Sequence, residues 1–259
     1  MRFASLGSGS RGNALVVEAE AGGTKTRVLV DCGFGPRELQ LRLARLGLAP
    51  EDLDALVVTH EHGDHSAGVM KIAQRHRLDV FLTHGTLAAM PKSRHQASSL
   101  RVIDSHSAFA VGALEITPFP VPHDAREPVQ YVFGDRRHRL GVLTDTGAAT
   151  PHIRVMLDGC DALVLECNHD RDMLADGAYP RYLKQRIAGR FGHLDNQAAA
   201  ALLAALDRSR LQHLVAAHLS EQNNTPQLAR AALAEAIGCA AEWVGVAGQD
   251  EGFSWRELI

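Results

Sequence analysis

"THEHGDHSAG", Thr59 to Gly68, sets three histidines and an aspartate within six positions, directly after the apolar run "DALVV". Unpartnered imidazoles are costly to pack at the end of a buried strand, so the crowding calls for something that binds them. In an extended segment alternate side chains share a face, which aims His60 and His62 the same way and Glu61 the other way. Asp64 and His65 follow at Gly63, where a helix begins. Two imidazoles, then a carboxylate and a third imidazole, suit one metal ion or two adjacent ones.

Outward from this stretch the chain alternates short β-branched runs with helical patterns. Strands are expected in "TRVLVDCG", "LEITPFPVPH", "RLGVLTDTG", "DALVLEC" and "HLVAAHLS". Helices are expected in "PRELQLRLARLG", "SAGVMKIAQRH", "DNQAAAALLAALDRSR" and "TPQLARAALAEAIG". The last is punctuated by Thr225 as N-cap, Pro226 at the first helical position and Gly238 past the end. Several strands end in a residue able to bind metal: His60, His123, Asp145, Glu166 and His218. Sites of α/β proteins gather at the carboxyl ends of strands, so segments distant in sequence can meet at one locus. Two strand-rich halves, each followed by helices, predict an α/β architecture of two packed sheets with helices outside.

The 259 residues are 46% apolar and 22% charged, the composition of an ordinary globular protein with enough chain for a sizeable core. A formal net charge of -3 carries no global signature of a nucleic-acid binder, but a local basic lip around a site is compatible with it. Cys32, Cys160, Cys167 and Cys239 are scattered and form no CxxC pair, which reads as reduced, buried thiols. No apolar run approaches the ~18 residues of a membrane helix, and the first residues lack the apolar core of a signal peptide. The expectation is a cytoplasmic protein without membrane contact, and no protein partner is implied.

The donors can be apportioned. His60, His62 and His123 would serve one ion, Asp64, His65 and His218 a second, and Asp145 would bridge them. His76, His84, His95, His106, His138, His152 and His213 read as structural. So imidazole-rich a set favours zinc among the divalent ions, with manganese or iron also acceptable, at two ions per chain.

"VDCG" around Asp31, "HEHGDH", His123, "TDTG" around Asp145 and His218 follow one another in the order of the metallo-β-lactamase superfamily, which the chain resembles. The resemblance implies a four-layer αββα sandwich, two mixed β-sheets flanked by helices, with a two-metal site at one edge. "SLGSGSRGNALVVE", "VPHDAREPVQYVF", "ECNHDRDML", "YPRYLKQRI", "GHLDNQAA" and "HLSEQNNTP" look like the YycJ/WalJ-type metallohydrolases, which are similar to ribonuclease Z and to DNA-processing exonucleases. Gln130, where that pattern has glycine, and Asp195, where it has serine, depart from it. The segment 146–217 leaves no room for an inserted clamp domain, so residues 1–259 read as one domain.

What the resemblance implies is a phosphodiesterase, a 5′-to-3′ exonuclease acting on DNA rather than RNA through a hydroxide shared by the two ions. The alternative is a thioester or lactone hydrolase of the glyoxalase II type, which shares the first motif but lacks "ECNHD" and "GHLDN". Asp64 would also orient the attacking water and accept its proton. The leaving group would be served by His193 or His169, and His193 is preferred because a basic stretch precedes it. Asp31 and Glu166 read as partners that orient metal-binding imidazoles. Arg181, Lys184, Arg186 and Arg190 are candidates for phosphate contacts, although at helical spacing they share no single face and a solvated helix explains them equally. "GSGSRGN", Gly7 to Asn13, reads as a tight turn near the site, with phosphate binding by its amides the lesser reading.

Overall fold

The computed structural model describes residues 1–91 and 99–259, so His95 lies outside the described residues. The first sheet holds β1 (Arg2–Gly7), β2 (Ala14–Ala21), β3 (Thr24–Val30), β4 (Ala55–Val57), β5 (Asp79–Thr83) and β6 (Leu100–Ile103), in that spatial order. The second holds β7 (Phe109–Val111), β8 (Leu114–Pro120), β9 (Val129–Gly134), β10 (Arg139–Leu143), β11 (Ala162–Glu166), β12 (His213–Ala217) and β13 (Gly245–Val246), again in order. A last strand, β14 (Phe253–Glu257), returns to pair antiparallel with β1. Each sheet begins as an antiparallel meander and continues as parallel strands, from β3 onward in the first and from β10 onward in the second.

Parallel neighbours require crossovers, and the helices supply them. They are α1 (Pro36–Ala44), α2 (Gly63–Ser66), α3 (Val69–His76), α4 (His84–Ala89), α5 (Pro151–Leu157), α6 (Arg171–Asp176), α7 (Arg181–Ile187), α8 (Asn196–Ala204) and α9 (Pro226–Ile237). The four helices expected from sequence are present as α1, α3, α8 and α9. Thr225 caps α9 by accepting from Leu228 N, and Gly238 closes it at φ 69°. Asp195 caps α8 through Gln197 N and Ala198 N, which is what this departure from the family pattern does. The other departure, Gln130, is buried and donates to Thr144 O at 2.6 Å.

Period-two alternation sorts the apolar residues into layers. Val28, Val30, Ala55 and Val57 face Tyr131, Phe133, Val142 and Val164 between the sheets. Leu29, Leu56 and Val58 turn the other way, onto Leu39 and Leu43 of α1 and Ile72 of α3. In the second sheet Leu163, Leu165 and Leu214 face outward onto Ile153, Leu203 and Leu233 of α5, α8 and α9. The result is the αββα order of layers. Fully burying each such side chain contributes about 1.5–3 kcal/mol, and Tyr131, fully buried among them, is satisfied by Oη donating to Val58 O at 2.7 Å.

Strands β3, β4, β10, β11 and β12 all end at one edge, and the loops leaving them are tightly set. Asp31, Asp145 and His218, just past β3, β10 and β12, adopt φ of 58°, 51° and 55°. Left-handed backbone is uncommon for residues other than glycine and clusters at functional sites. At Gly33 a Cβ would lie 1.9 Å from Asp64 O, so only glycine lets the turn after β3 pass beneath the metal-motif loop. The four cysteines are free; Cys32, Cys160 and Cys167 are buried as expected, whereas Cys239 is only half-buried. No helix of the described residues is long and apolar enough to cross a membrane.

Candidate metal centre

His60, His62, Asp64 and His65 lie beyond the end of β4 rather than within it, so the strand alternation foreseen for His60 and His62 is not what aims them. A loop and the first turn of α2 do so instead. Glu61 does point away, as expected, and accepts from Arg126 N at 2.8 Å. His62 Nδ1 lies 3.0 Å from His60 Nε2 and 3.3 Å from His123 Nε2. One ring nitrogen of each of these three histidines therefore converges on a single point.

Beside it lies a second convergence. His65 Nε2 is 3.5 Å from Asp64 Oδ2, and His218 Nε2 is 3.6 Å from the same oxygen. Asp145 stands between the two groups, with Oδ2 3.0 Å from His65 Nε2 and Oδ1 3.5 Å from His218 Nε2 and 3.9 Å from His123 Nε2. The seven residues apportioned by sequence thus come together from α2 and the loops after β4, β8, β10 and β12.

Two atoms of this group test its fitness for metal. Asp145 Oδ2 and His218 Nε2 are buried with no hydrogen-bond partner. An unsatisfied buried polar atom costs about 1–3 kcal/mol, and native proteins keep few without a reason. Two such atoms among five more nitrogen and oxygen donors fit a pair of divalent cations.

Except at His62, the far side of each ring is held. Asp31 Oδ2 accepts from His65 Nδ1 at 2.7 Å and from the Thr59 hydroxyl at 2.8 Å, while Thr59 Oγ1 lies 2.9 Å from His60 Nδ1. His123 Nδ1 donates to Gly192 O at 3.0 Å. Glu166, fully buried at the end of β11, takes His193 Nδ1 at 2.8 Å on Oε1 and the amides of Thr146 and Leu194 on Oε2. His218 Nδ1 lies 3.5 Å from the same Oε1. These bonds fix which nitrogen of each ring faces the centre.

The charges follow from this packing. Burial lowers the His60 and His123 imidazoles. Burial also opposes charge on His65 and His218, but carboxylates outweigh it. Asp145 and Asp31 hold His65 well above the usual imidazole range, and Asp145 with Asp64 raises His218 to about 10. Asp145 is held well below the carboxylate range, its burial overcome by His218 and His65. Without metal, the site balances its carboxylates with imidazolium.

A cleft of about 380 Å³ lies elsewhere, beneath the β9–β10 turn. The one that matters here holds about 370 Å³ and is lined by His62, Asp64, His123, Asp145, His193 and His218, together with Asp124, Tyr179, Arg186 and Ile187. His193 reaches it. His169 does not line it: its ring is buried, with Nδ1 3.3 Å from Asn168 Oδ1, so of the two histidines weighed for the leaving group only His193 is placed for it. Of the four cations proposed for phosphate, Arg186 alone lines the cleft, with Nε on Asp124 Oδ2 at 2.6 Å. Lys184 Nζ is spent on Ala175 O at 2.6 Å, and Arg181 and Arg190 are exposed outside the cleft.

Sequence reasoning missed several neighbours. Asp124, the residue after His123, lies 3.5 Å from His123 Nε2 and 3.8 Å from His62 Nε2. Asn13 Nδ2 lies 3.0 Å from His65 Nε2, and the Ser8 hydroxyl accepts from His218 N at 2.9 Å. The "GSGSRGN" turn is therefore at the site as expected, but through side chains. Its amides at Gly9, Arg11 and Gly12 are bonded within the protein, which leaves them no phosphate to bind. His76, His84, His106, His138, His152 and His213 stand outside the cluster.

The class defined by this sandwich and its histidine–aspartate edge is confirmed by kinship. Residues 26–218 match the family model described as a beta-lactamase superfamily domain, and the chain belongs to that superfamily. It is 32% identical over 249 residues to "Exodeoxyribonuclease WalJ" of Streptococcus pneumoniae, covering 95% of this chain and 91% of that protein. It is 33% identical over 243 residues to "Exodeoxyribonuclease YycJ" of Bacillus anthracis, covering 92% and 89%. Among solved structures, the metallo-beta-lactamase fold protein YhfI from Bacillus subtilis superposes with a TM-score of 0.73 at 17% identity, over 99% of each chain, which shows the shared fold.

Proposed function

We propose that this chain is a metal-dependent phosphodiesterase that degrades DNA as a 5′-to-3′ exonuclease, with residues 1–259 acting as one domain without a clamp. The observation that carries the reading is the pair of buried, unpartnered atoms Asp145 Oδ2 and His218 Nε2 at the centre of the converging donors. His60, His62 and His123 would hold one divalent ion and Asp64, His65 and His218 another, with Asp145 shared, zinc being favoured over manganese or iron. When bound, such ions supply Lewis-acid stabilisation of charge on phosphate oxygens and lower the pKa of water. The names borne by the two relatives that match most of the chain favour a DNA phosphodiester over RNA or a thioester.

The protein's own groups have separable tasks. Asp64, partly exposed to the cleft, would orient the attacking water and take its proton. Glu166 holds the His193 ring by Nδ1, and although burial works against charge there, Glu166 keeps that imidazole above its usual range. A histidine whose protonated form is favoured by a buried carboxylate at the cleft wall suits donation to a departing alkoxide. Arg186, fixed by Asp124, would present its remaining N–H groups to a non-bridging phosphate oxygen.

The test is one panel. Protein loaded with Zn²⁺ or Mn²⁺ should hydrolyse bis-p-nitrophenyl phosphate and shorten a labelled DNA duplex from its 5′ end, leaving a glutathione thioester untouched. Thioester hydrolysis without phosphodiester hydrolysis would overturn the reading.

A further inference from the structure

We propose that the strap from Tyr179 to Phe191 is a platform on which unpaired bases of the substrate strand stack as that strand enters the cleft. The inference rests on the phosphodiesterase reading and adds to it the form in which the nucleic acid is held.

Between β11 and α8 the chain leaves the sandwich, and its middle helix, α7, buries no residue. Two large aromatics are turned to solvent there, Tyr182 at 73% and Phe191 at 57% exposure. From Gly177 to Phe191 the sequence has no acidic residue and four cations, Arg181, Lys184, Arg186 and Arg190. Arg181 and Arg190 have no side-chain partner among the described residues. Every base offers a π-face to an aromatic ring, and arginine serves both the phosphates and the stacked rings, so aromatics interleaved with cations fit a single strand whatever its sequence.

The strap is continuous with the chemistry. Tyr179, Arg186 and Ile187 form part of the cleft wall. Phe191 O accepts from Asp124 N at 3.0 Å, His193 N donates to Ile187 O at 2.9 Å, and Gly192 O takes His123 Nδ1. Gly147 permits this, since a Cβ there would lie 2.3 Å from Arg190 O. Phe191 thus sits on backbone bonded directly to His123 and Asp124, and Tyr182 lies on the helix that leads to it. A protein partner would have use for the rings but not for a run of cations leading to a phosphodiesterase cleft, so the charge selects a nucleic-acid strand.

The test uses the full chain in EDTA, where no cleavage occurs, and fluorescence anisotropy of a labelled oligothymidylate. Tyr182→Ala and Phe191→Ala should each weaken binding about 5- to 100-fold, the loss expected for one stacked base. Tyr182→Phe and Phe191→Trp should retain it, the latter with indole quenching beyond that of wild type, which also shows that these positions tolerate change. Trp243→Ala, an exposed ring remote from the cleft, should bind as wild type does. A blunt duplex, whose bases are already stacked, should be affected less than the single strand. Alanine variants that bind the single strand at full affinity, or lose duplex and single strand equally, would overturn the platform. Wild-type turnover of bis-p-nitrophenyl phosphate with metal restored tells that failure apart from failure of the phosphodiesterase reading.

Discussion

Asp31 Oδ2 lies 2.7 Å from His65 Nδ1 and 2.8 Å from the Thr59 hydroxyl, and that hydroxyl lies 2.9 Å from His60 Nδ1. One buried carboxylate therefore orients an imidazole in each of the two candidate ion sets, directly in one and through a threonine in the other. Its backbone sits at φ 58°, a conformation that asparagine also tolerates.

Asp31→Asn should for that reason keep the fold and lose the charge. Partners of this kind are typically worth 10–100-fold in metal affinity, so zinc affinity should fall by about that factor at both positions. Competition against a chromogenic chelator measures it. Affinity lost at only one of two resolvable sites would mean that the Thr59 relay to His60 contributes nothing.

Metal loading should release protons. His65 and His218 are held charged in the metal-free protein, His218 up to about 10, whereas only neutral imidazole binds an ion. Near pH 7 about two protons per chain should appear on loading, read by titration calorimetry in buffers of different ionisation enthalpy. Both folded values lie above the ordinary imidazole value. The stability these groups give the metal-free protein is therefore fully present below about pH 6.5. It is lost as pH rises through the folded values, so the metal-free protein should melt at lower temperature towards alkaline pH. Loading without proton release would show that these two rings are neutral beforehand.

Stoichiometry should approach two ions per chain after reconstitution. Asp145→Ala removes the carboxylate lying between His65, His123 and His218, and both ions should weaken together. His76→Ala removes a ring paired with Glu51 and outside the cluster, and should leave metal content unchanged. A wild-type content that stays near one would confine the site to a single ion.

The layers and the donor set were legible because both are written in local pattern. Alternation along "TRVLVDCG" separates Val28 and Val30 from Leu29, and HEHGDH places four donors within one turn and its approach. The cleft wall was not legible, because it depends on where one excursion folds back. Arg186 reaches the cleft while Arg181 and Arg190 do not, which is settled by a bond to Asp124, 62 positions away. His169 was indistinguishable from His193 in sequence. A β-bridge between His169 and Asp195 fixes the former's backbone, and its ring is buried, while Glu166 holds the latter at the cleft. Asn13 and Ser8 escaped notice because nothing in a glycine–serine turn announces the histidines it will touch.

His193 permits the sharpest separation of chemistry from binding. With Nδ1 on Glu166, its Nε2 has no partner among the described residues and the ring lines the cleft. If it protonates the leaving group, His193→Ala should keep full metal occupancy yet lose turnover by about 10²–10⁴-fold on a DNA substrate, the usual worth of general acid catalysis. With bis-p-nitrophenyl phosphate the departing phenolate needs no proton, and the loss should shrink markedly. Glu166→Gln, which removes the charge that raises the imidazole, should move the alkaline limb of the DNA pH profile to lower pH, since a general acid stops working once it loses its proton. Equal losses on both substrates would instead assign His193 to holding the phosphate. A variant stripped of its metals would make His193 a ligand, drawing Asp145, Glu166, His193 and His218 into one set, as their mutual proximity allows.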